Sequence, residues 1–204
     1  EIRLSLVGSE MCIRDSVKGM YLLSRGSVEG VGENARRVQL LASGVAVPWA
    51  IEAQQLLKDD FGVVADVWSV TSWNNLRRDA MDAEEQAFLH PEQGKRTPYI
   101  VECLAEAPGP VIAATDYMRQ VPDQIAQWVP GDYASLGADG FGFSDTRAAA
   151  RRFFHIDGPS MAVRALQMLA ERGEVPQDWP VKAAEKYDLL NVNAGASGSA
   201  GGDA

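Results

Sequence analysis

The sequence predicts an α/β domain in which a small, open and mostly parallel sheet carries helices on both faces. From residue 38 onward, short apolar runs typical of buried strands alternate with longer segments of helical periodicity. Glycine and proline separate these segments, as they do at turns. Parallel neighbours need crossover connections, usually helices, so the alternation indicates layers on both sides of the sheet.

The first half of this pattern contains two strands and two helices. Residues 38–42 form the first predicted strand, and Ser43-Gly44 makes the turn that follows it. Pro48 then suits the first turn of a helix. Gly62 ends that helix, because glycine readily adopts the left-handed conformation at a helix C-terminus. Residues 63–70, rich in valine, form the second strand, and a helix follows as far as residue 88 with Ser72 as its N-cap.

The middle of the chain is less regular. Residues 89–98 form a polar loop with two prolines, and residues 99–105 form a short helix, although their β-branched side chains leave a strand open. Residues 110–114 form the third strand. A helix over residues 116–129 follows, interrupted near Pro122 because proline cannot donate to the helix ladder.

The last predicted strand, residues 133–136, leads into a glycine-rich loop. We expect Ser144 to cap the helix over residues 145–154. Helices over residues 159–172 and 178–190 close the fold, and the apolar stripe of the first of these belongs to the core.

The flanks differ in composition from this domain, which we assign to residues 38–190. Residues 1–16 resemble a translated sequencing-adapter segment and are assigned as foreign; charged residues exclude a signal peptide there. Residues 17–37 form a connector from a missing upstream domain. Residues 191–204, mostly Gly, Ala, Ser and Asn, form a disordered tail, because they have too little apolar surface to bury.

Charge and composition exclude several function classes. The net charge of −9 argues against nucleic acid, which requires a basic face. No apolar run approaches the ~18 residues of a membrane span. Cys12 and Cys103 form neither a disulfide framework nor a metal spacing, so a reduced, cytoplasmic setting is expected.

The glycine loop, residues 136–147, is the most unusual segment of the chain. We expect Gly137, Gly140 and Gly142 to adopt backbone geometries that a Cβ would forbid. Asp145 lies where the positive end of the following helix dipole favours an anion.

Several collinear segments resemble the C-terminal domain of the homodimeric type of pyruvate dehydrogenase decarboxylating subunit, in the wider transketolase family. The resemblance extends over about residues 17–190, and the run Val-Trp-Ser-Val-Thr-Ser favours this subunit type over transketolase proper. The matching segments are residues 38–44, 66–79, 115–118, 136–147 and 153–157.

The resemblance implies a parent enzyme that binds thiamin diphosphate and Mg, decarboxylates pyruvate and passes the acetyl unit to the lipoyl group of an acyltransferase component. It implies a homodimer in which two larger upstream domains hold the cofactor. The family's Gly-Asp-Gly motif with its matched Asn is absent here. We therefore assign no catalytic, cofactor-binding or metal residue to this chain, and expect an inactive fragment that serves structure and subunit contact.

Two alternatives stay open. The chain could come from another thiamin-diphosphate enzyme, such as transketolase or a different 2-oxo acid dehydrogenase. It could also be a stand-alone α/β ligand-binding module, because open sheets bind ligands outside the carboxyl ends of their strands. Asp66, Asp116 and Asp139 adjoin predicted strand ends, and helices after Ser43 and Ser144 offer N-termini to an anion.

The remaining polar residues have structural interpretations. His90 and His155 lack a carboxylate at a useful spacing, and Cys103 is expected as a small buried hydrophobe. Residues 30–35 fit a dinucleotide fingerprint formally but precede a strand instead of opening a helix. The acids Asp82, Glu84 and Glu85 and the pairs Arg77-Arg78 and Arg151-Arg152 are assigned to solvated helix faces.

Overall fold

A computed structural model describes residues 15–193 and contains one five-stranded sheet. The strand order is β1-β3-β2-β4-β5, with β1 antiparallel to β3 and every other pair parallel. This confirms the predicted small, mostly parallel α/β sheet. The strands are β1 (Met20–Ser24), β2 (Arg37–Ala42), β3 (Val64–Val70), β4 (Val111–Ala114) and β5 (Tyr133–Leu136).

Strand β1 was not predicted. It lies inside residues 17–37, which were expected to form only a connector. Only Met20 of its five residues is fully buried, and the other four are half-buried. Such a segment lacks the alternation of apolar and polar residues that identifies a strand. Its backbone becomes extended through pairing with β3, beginning at Met20 opposite Val70.

The helices largely follow the predicted pattern. Gly62 ends α1 in the left-handed region (φ 62°), and the Ser72 hydroxyl accepts from the Asn75 amide at the start of α2, confirming both predicted ends. A 3-10 turn, Gly44–Ala46, precedes α1. The helices are α1 (Val47–Phe61), α2 (Trp73–Leu89), α3 (Tyr99–Leu104), α4 (Gln120–Asp123), α5 (Arg147–Phe153), α6 (Gly158–Glu171) and α7 (Trp179–Lys186).

Two helix predictions were too long. The helix expected over residues 116–129 is reduced to α4 and a 3-10 turn, Ala126–Trp128, and Pro122 lies in the first turn of α4, where its missing N–H is tolerated. The helix expected to residue 190 ends at Lys186, since Asp188 has a positive φ of 47°. The proposed foreign segment and tail lie almost wholly outside the described residues.

The sheet is covered on both faces by separate apolar clusters. Successive side chains of a strand point to opposite faces, so Leu40 and Leu41 of β2 belong to different clusters. The Leu40 cluster includes α1 and α6, whereas the Leu41 cluster includes α2 and α3. Each large side chain buried this way contributes roughly 1.5–3 kcal/mol.

The parallel strands β2, β3, β4 and β5 end at one edge of the sheet, called here the carboxyl edge. The chain leaves it at Ser43, Thr71, Thr115 and Gly137. None of the helices between residues 15 and 193 is both long and apolar enough to cross a membrane.

Candidate functional site

The carboxyl edge brings together residues from three connections. The buried Ser43 hydroxyl donates to the Thr115 Oγ1 atom at 3.0 Å, joining the segments after β2 and β4. The Tyr117 amide donates to the same Thr115 oxygen at 3.2 Å. These bonds fix the exits of two neighbouring strands, and the Ser43 hydroxyl is engaged within the sheet.

Asp139 ties the glycine loop to the segment after β4. Its carboxylate accepts from the Arg119 amide at 2.9 Å and from the Arg119 Nε atom at 2.6 Å. These bonds hold the pKa of Asp139 below, and that of Arg119 above, their ordinary values. Because both carboxylate oxygens accept hydrogen bonds from Arg119, Asp139 holds the glycine loop against the segment after β4.

Asp116 is the remaining acid predicted at this edge. It is exposed, and its Oδ1 atom lies 3.7 Å from the position where a Cβ on Gly44 would stand. The structure therefore places Asp116 beside the turn after β2, as expected for a residue that follows a neighbouring parallel strand.

Asp66 does not lie at the carboxyl edge, so this part of the ligand-site prediction was wrong. It is the third residue of β3, near the amino end, and only 4% of it is exposed. Its Oδ1 atom accepts from Arg37 at 2.8 Å and from the Gly26 amide at 2.7 Å. Asp66 is the fourth residue of the predicted strand, residues 63–70, so the sequence already indicated a position before the carboxyl end.

The predicted cap of the helix after the glycine loop was also wrong. Helix α5 begins at Arg147, and the Thr146 Oγ1 atom accepts from the Ala149 amide at 3.2 Å. Ser144 lies two residues earlier and is exposed, so it is not at the helix N-terminus. Ser144 and Thr146 both carry a hydroxyl, and the helix begins directly after the later one.

The three loop glycines have different roles. Gly137 allows a close backbone approach, because a Cβ there would lie 2.6 Å from the Arg119 amide nitrogen and 2.7 Å from the Tyr117 carbonyl oxygen. Gly140 has a φ of +106°, which favours glycine. Gly142 has neither a positive φ nor a neighbour within 4 Å of its Cβ position, so the expectation for it was wrong.

Arg152, in the helix that follows the loop, forms a buried ion pair with Asp157. The assignment of the pair Arg151-Arg152 to a solvated helix face was therefore wrong for Arg152. Arg152 is 4% exposed, and its Nε atom donates to Asp157 Oδ2 at 2.6 Å. Arg152 also donates to the carbonyl oxygens of Tyr187 at 2.9 Å and Asp188 at 3.1 Å. Arg151 lies over the Trp49 ring, 4.7 Å from its centroid.

Asp157 has a second function in this network, because its Oδ1 atom accepts from the Ser160 amide and caps α6. The network thus joins α5, α6 and the end of α7. The sequence gives little indication of this network. Arg152 and Asp157 are five residues apart and meet because the chain turns at His155, which has a φ of 56°.

The other polar residues considered from the sequence do not form a reactive cluster. His90 is exposed, with Nδ1 3.6 Å from a Glu92 oxygen, and His155 is also exposed. Cys103 is only half-buried, and desolvation raises the pKa of its thiol. Asp82, Glu84 and Glu85 are exposed as predicted, and Glu84 accepts from the Trp128 indole at 2.8 Å.

The segments that follow the strands at the carboxyl edge also carry exposed apolar side chains. Phe141, at the tip of the glycine loop, is 97% exposed, and Phe143 stacks on Phe153 with centroids 4.4 Å apart. Where exposed apolar side chains form a patch, the patch marks an interaction site or a ligand-binding groove. The apolar rim consists of Val45, Tyr117, Met118, Phe141 and Phe153.

Comparisons with curated proteins agree with the resemblance seen in the sequence. The chain is 49% identical over 178 residues to the pyruvate dehydrogenase E1 component of Mycolicibacterium smegmatis, covering 87% of the chain and 19% of that protein. It is 40% identical over 183 residues to the protein of that name from Escherichia coli K12, and the match covers 89% of the chain and 20% of that protein. The chain therefore spans about a fifth of the length of these curated relatives.

Solved structures support the fold independently. A transketolase from Pichia stipitis, in complex with sedoheptulose 7-phosphate, matches with a TM-score of 0.53 and 19% sequence identity. The match covers 79% of the chain and 19% of the transketolase chain. A protein described as a split gene transketolase, inactive β4 tetramer, matches with a TM-score of 0.51 and 16% sequence identity. The match covers 75% of the chain and 43% of that protein's chain.

The family comparison gives the assignment. Residues 19–157 match the family described as the transketolase-like TK C-terminal domain, which is most of the described structure. The predicted resemblance to the C-terminal domain of the pyruvate dehydrogenase E1 component is thereby confirmed. The chain belongs to the transketolase-like C-terminal domain family.

Proposed function

We propose that the chain is the C-terminal domain of a pyruvate dehydrogenase E1 component whose chemistry takes place in other domains. The parent would decarboxylate pyruvate on thiamin diphosphate with Mg and pass the acetyl unit to the lipoyl group of an acyltransferase component. The observation that carries the proposal is identity of 40–49% to proteins of that name over most of the chain.

The side chains of the carboxyl edge support a structural role for this domain. A diphosphate–Mg²⁺ site needs several converging oxygen ligands. Asp139 instead accepts from Arg119, Asp66 is paired with Arg37 at the other end of the sheet, and Ser43 donates to Thr115. Within residues 15–193, no three acid, histidine or cysteine side chains converge as a metal site would require. These donor sets do not fit the cofactor, so we derive no step through it.

The apolar rim is the surface that we assign to contact within the assembled enzyme. Its exposed aromatic side chains would become buried against another domain or the second subunit of a homodimer. In this proposal the domain supplies packing to a cytoplasmic enzyme and holds none of its reacting groups.

A chimera tests the proposal. The segment of the M. smegmatis E1 component that aligns with this chain is replaced by the corresponding residues from this chain, and CO2 release from pyruvate is measured with thiamin diphosphate and Mg²⁺. We expect an active enzyme, whereas deletion of the segment should abolish assembly. A correctly folded chimera without turnover would contradict the proposal.

Two phenylalanine substitutions in the chimera separate contact from general surface effects. Phe141→Ser removes the most exposed aromatic group of the rim, and Phe88→Ser removes one that is 83% exposed on α2. We expect only Phe141→Ser to weaken subunit association in sedimentation velocity. Equal effects of the two substitutions would remove the rim from the contact surface.

A further inference from the structure

A small cavity opens where the chain leaves β1 and passes the last turns of α1. Its volume is about 130 Å³, and the amino end of β3 forms its floor through Val64 and Ala65. This cavity lies apart from the carboxyl edge and is not used in the function proposed above. Its other lining residues are Arg25, Gly26, Ser27, Gln54, Gln55 and Lys58.

Hydrogen bonds fix the walls of the cavity. The Gln54 side chain accepts from the Ser24 hydroxyl at 2.9 Å and donates to the Ala65 carbonyl at 2.6 Å, so α1 is tied to both β1 and β3. The Gly26 amide donates to Asp66 at 2.7 Å, which anchors the segment after β1. The strand and helix walls of the cavity are thus fixed by the fold, and the segment after β1 is anchored to them at Gly26.

The charge of the cavity is opposite to that of the chain. Among the described residues, those that line it include Arg25 and Lys58 but no aspartate or glutamate, although the chain as a whole carries a net charge of −9. Of the acids bonded to lining residues, Asp66 is paired with Arg37, and Asp59 accepts from the side-chain amide of Gln55 at 2.7 Å. Arg25 and Lys58 thus line one cavity whose walls contain no carboxylate.

Part of the negative end of α1 is satisfied within the chain. The carbonyl oxygens of Leu57 and Lys58 accept from the amides of Val63 and Gly62, both at 3.0 Å. Free carbonyl groups produce the partial negative charge at a helix C-terminus, and these two bonds reduce it.

We propose that this cavity binds a single oxyanion group, the phosphate or carboxylate of a small molecule. An arginine can bind such a group through two parallel N–H bonds, and a lysine adds a compact charge. Ser27 accepts from the Glu29 amide at 3.1 Å through its oxygen, which leaves its hydroxyl hydrogen to donate. A volume of 130 Å³ equals that of about four water molecules at roughly 30 Å³ each.

That size restricts the ligand class. Sites for whole cofactors or drug-sized ligands have volumes of roughly 300–1,000 Å³. The cavity suits one charged group, with the remainder of its carrier outside in solvent.

The test is an NMR titration of the full 204-residue chain with inorganic phosphate and, separately, with acetate, at constant ionic strength in chloride. We expect saturable amide shifts at Gly26, Ser27 and Lys58 with at least one of the two anions. The arm that saturates at the lower concentration identifies phosphate or carboxylate as the preferred group. Shifts that grow linearly with both anions would overturn the proposal.

Matched substitutions complete the test. Arg25→Gln and Lys58→Gln should each raise the dissociation constant at least tenfold, whereas Arg147→Gln, an exposed arginine on α5, should leave it unchanged. An equal loss in Arg147→Gln would show only general charge attraction and would overturn the site. Retained dispersion of the amide spectrum shows that each variant is folded.

Discussion

Replacing Arg152 by methionine should destabilise the domain strongly. The substitution keeps much of the apolar stem but removes the guanidinium that faces Asp157 at 2.6 Å, where the two side chains are 4% and 11% exposed. Removal of one partner from a buried ion pair typically costs about 3–5 kcal/mol, because the other charge stays buried without compensation. The carbonyl oxygens of Tyr187 and Asp188 also lose their donor.

That free-energy loss is large enough to measure simply. For a domain of this size, 1 kcal/mol corresponds to about 2–4 °C in Tm, so a fall of roughly 6–20 °C is expected. Urea unfolding followed by circular dichroism gives the free energy of unfolding directly. Arg147→Met on the same helix is the control, because Arg147 is exposed, and it should change stability by less than about 0.5 kcal/mol.

A double variant tests whether the lost energy belongs to the pair. Asp157→Asn removes the charge while asparagine can still cap α6, so Arg152→Met with Asp157→Asn should be more stable than the sum of the single changes predicts. A loss below about 1 kcal/mol in Arg152→Met, or strict additivity in the double variant, would refute the reasoning.

Three further substitutions have distinct expected outcomes. Gly137→Ala should lower Tm, because its methyl group would meet backbone atoms at 2.6–2.7 Å, while Gly142→Ala, in open space, should be neutral; similar Tm values would contradict this. Ser72→Ala should cost about 0.5–2 kcal/mol in urea unfolding by removing the α2 cap, and no change would show that the cap is dispensable. Glu52→Gln should raise Tm at pH 7 but not at pH 3, and a pH-independent difference would show that the pKa of Glu52 is not raised by folding.

The pH dependence of the Glu52 variant follows from the surroundings of that carboxylate. The residue is exposed along much of its length, but its carboxylate packs against Gly158. Desolvation first, and then the charge of Asp157, raise the pKa of Glu52 above its ordinary value. The folded state therefore binds more protons than the unfolded state, and stability falls as pH rises through the window between the two pKa values.

The sheet and its helices could be predicted because their signals are local. Gly62 and Ser72 mark helix ends through their own backbone and side-chain chemistry, and the valines of β3 indicate a strand regardless of its neighbours. Strand β1 could not be predicted in this way, because the extended form of its half-buried residues depends on pairing with β3.

The details of the candidate site depend even more on tertiary contacts. The position of Asp66 at the amino end, the choice of Thr146 over Ser144 as a cap, and the burial of Arg152 all require the path of the chain in space. An Arg-Arg pair next to an alanine run looks the same whether it faces solvent or another helix. Only the approach of the end of α7 identifies Arg152 as buried.

Turnover by the 204-residue chain itself tests the central claim most directly. The purified chain, shown to be folded by circular dichroism, is supplied with pyruvate, thiamin diphosphate and Mg²⁺ together with an artificial electron acceptor. Our account predicts CO2 release no faster than in the protein-free mixture. Sustained release proportional to the amount of chain, and lost together with its fold, would place the reacting groups within these residues and contradict the account.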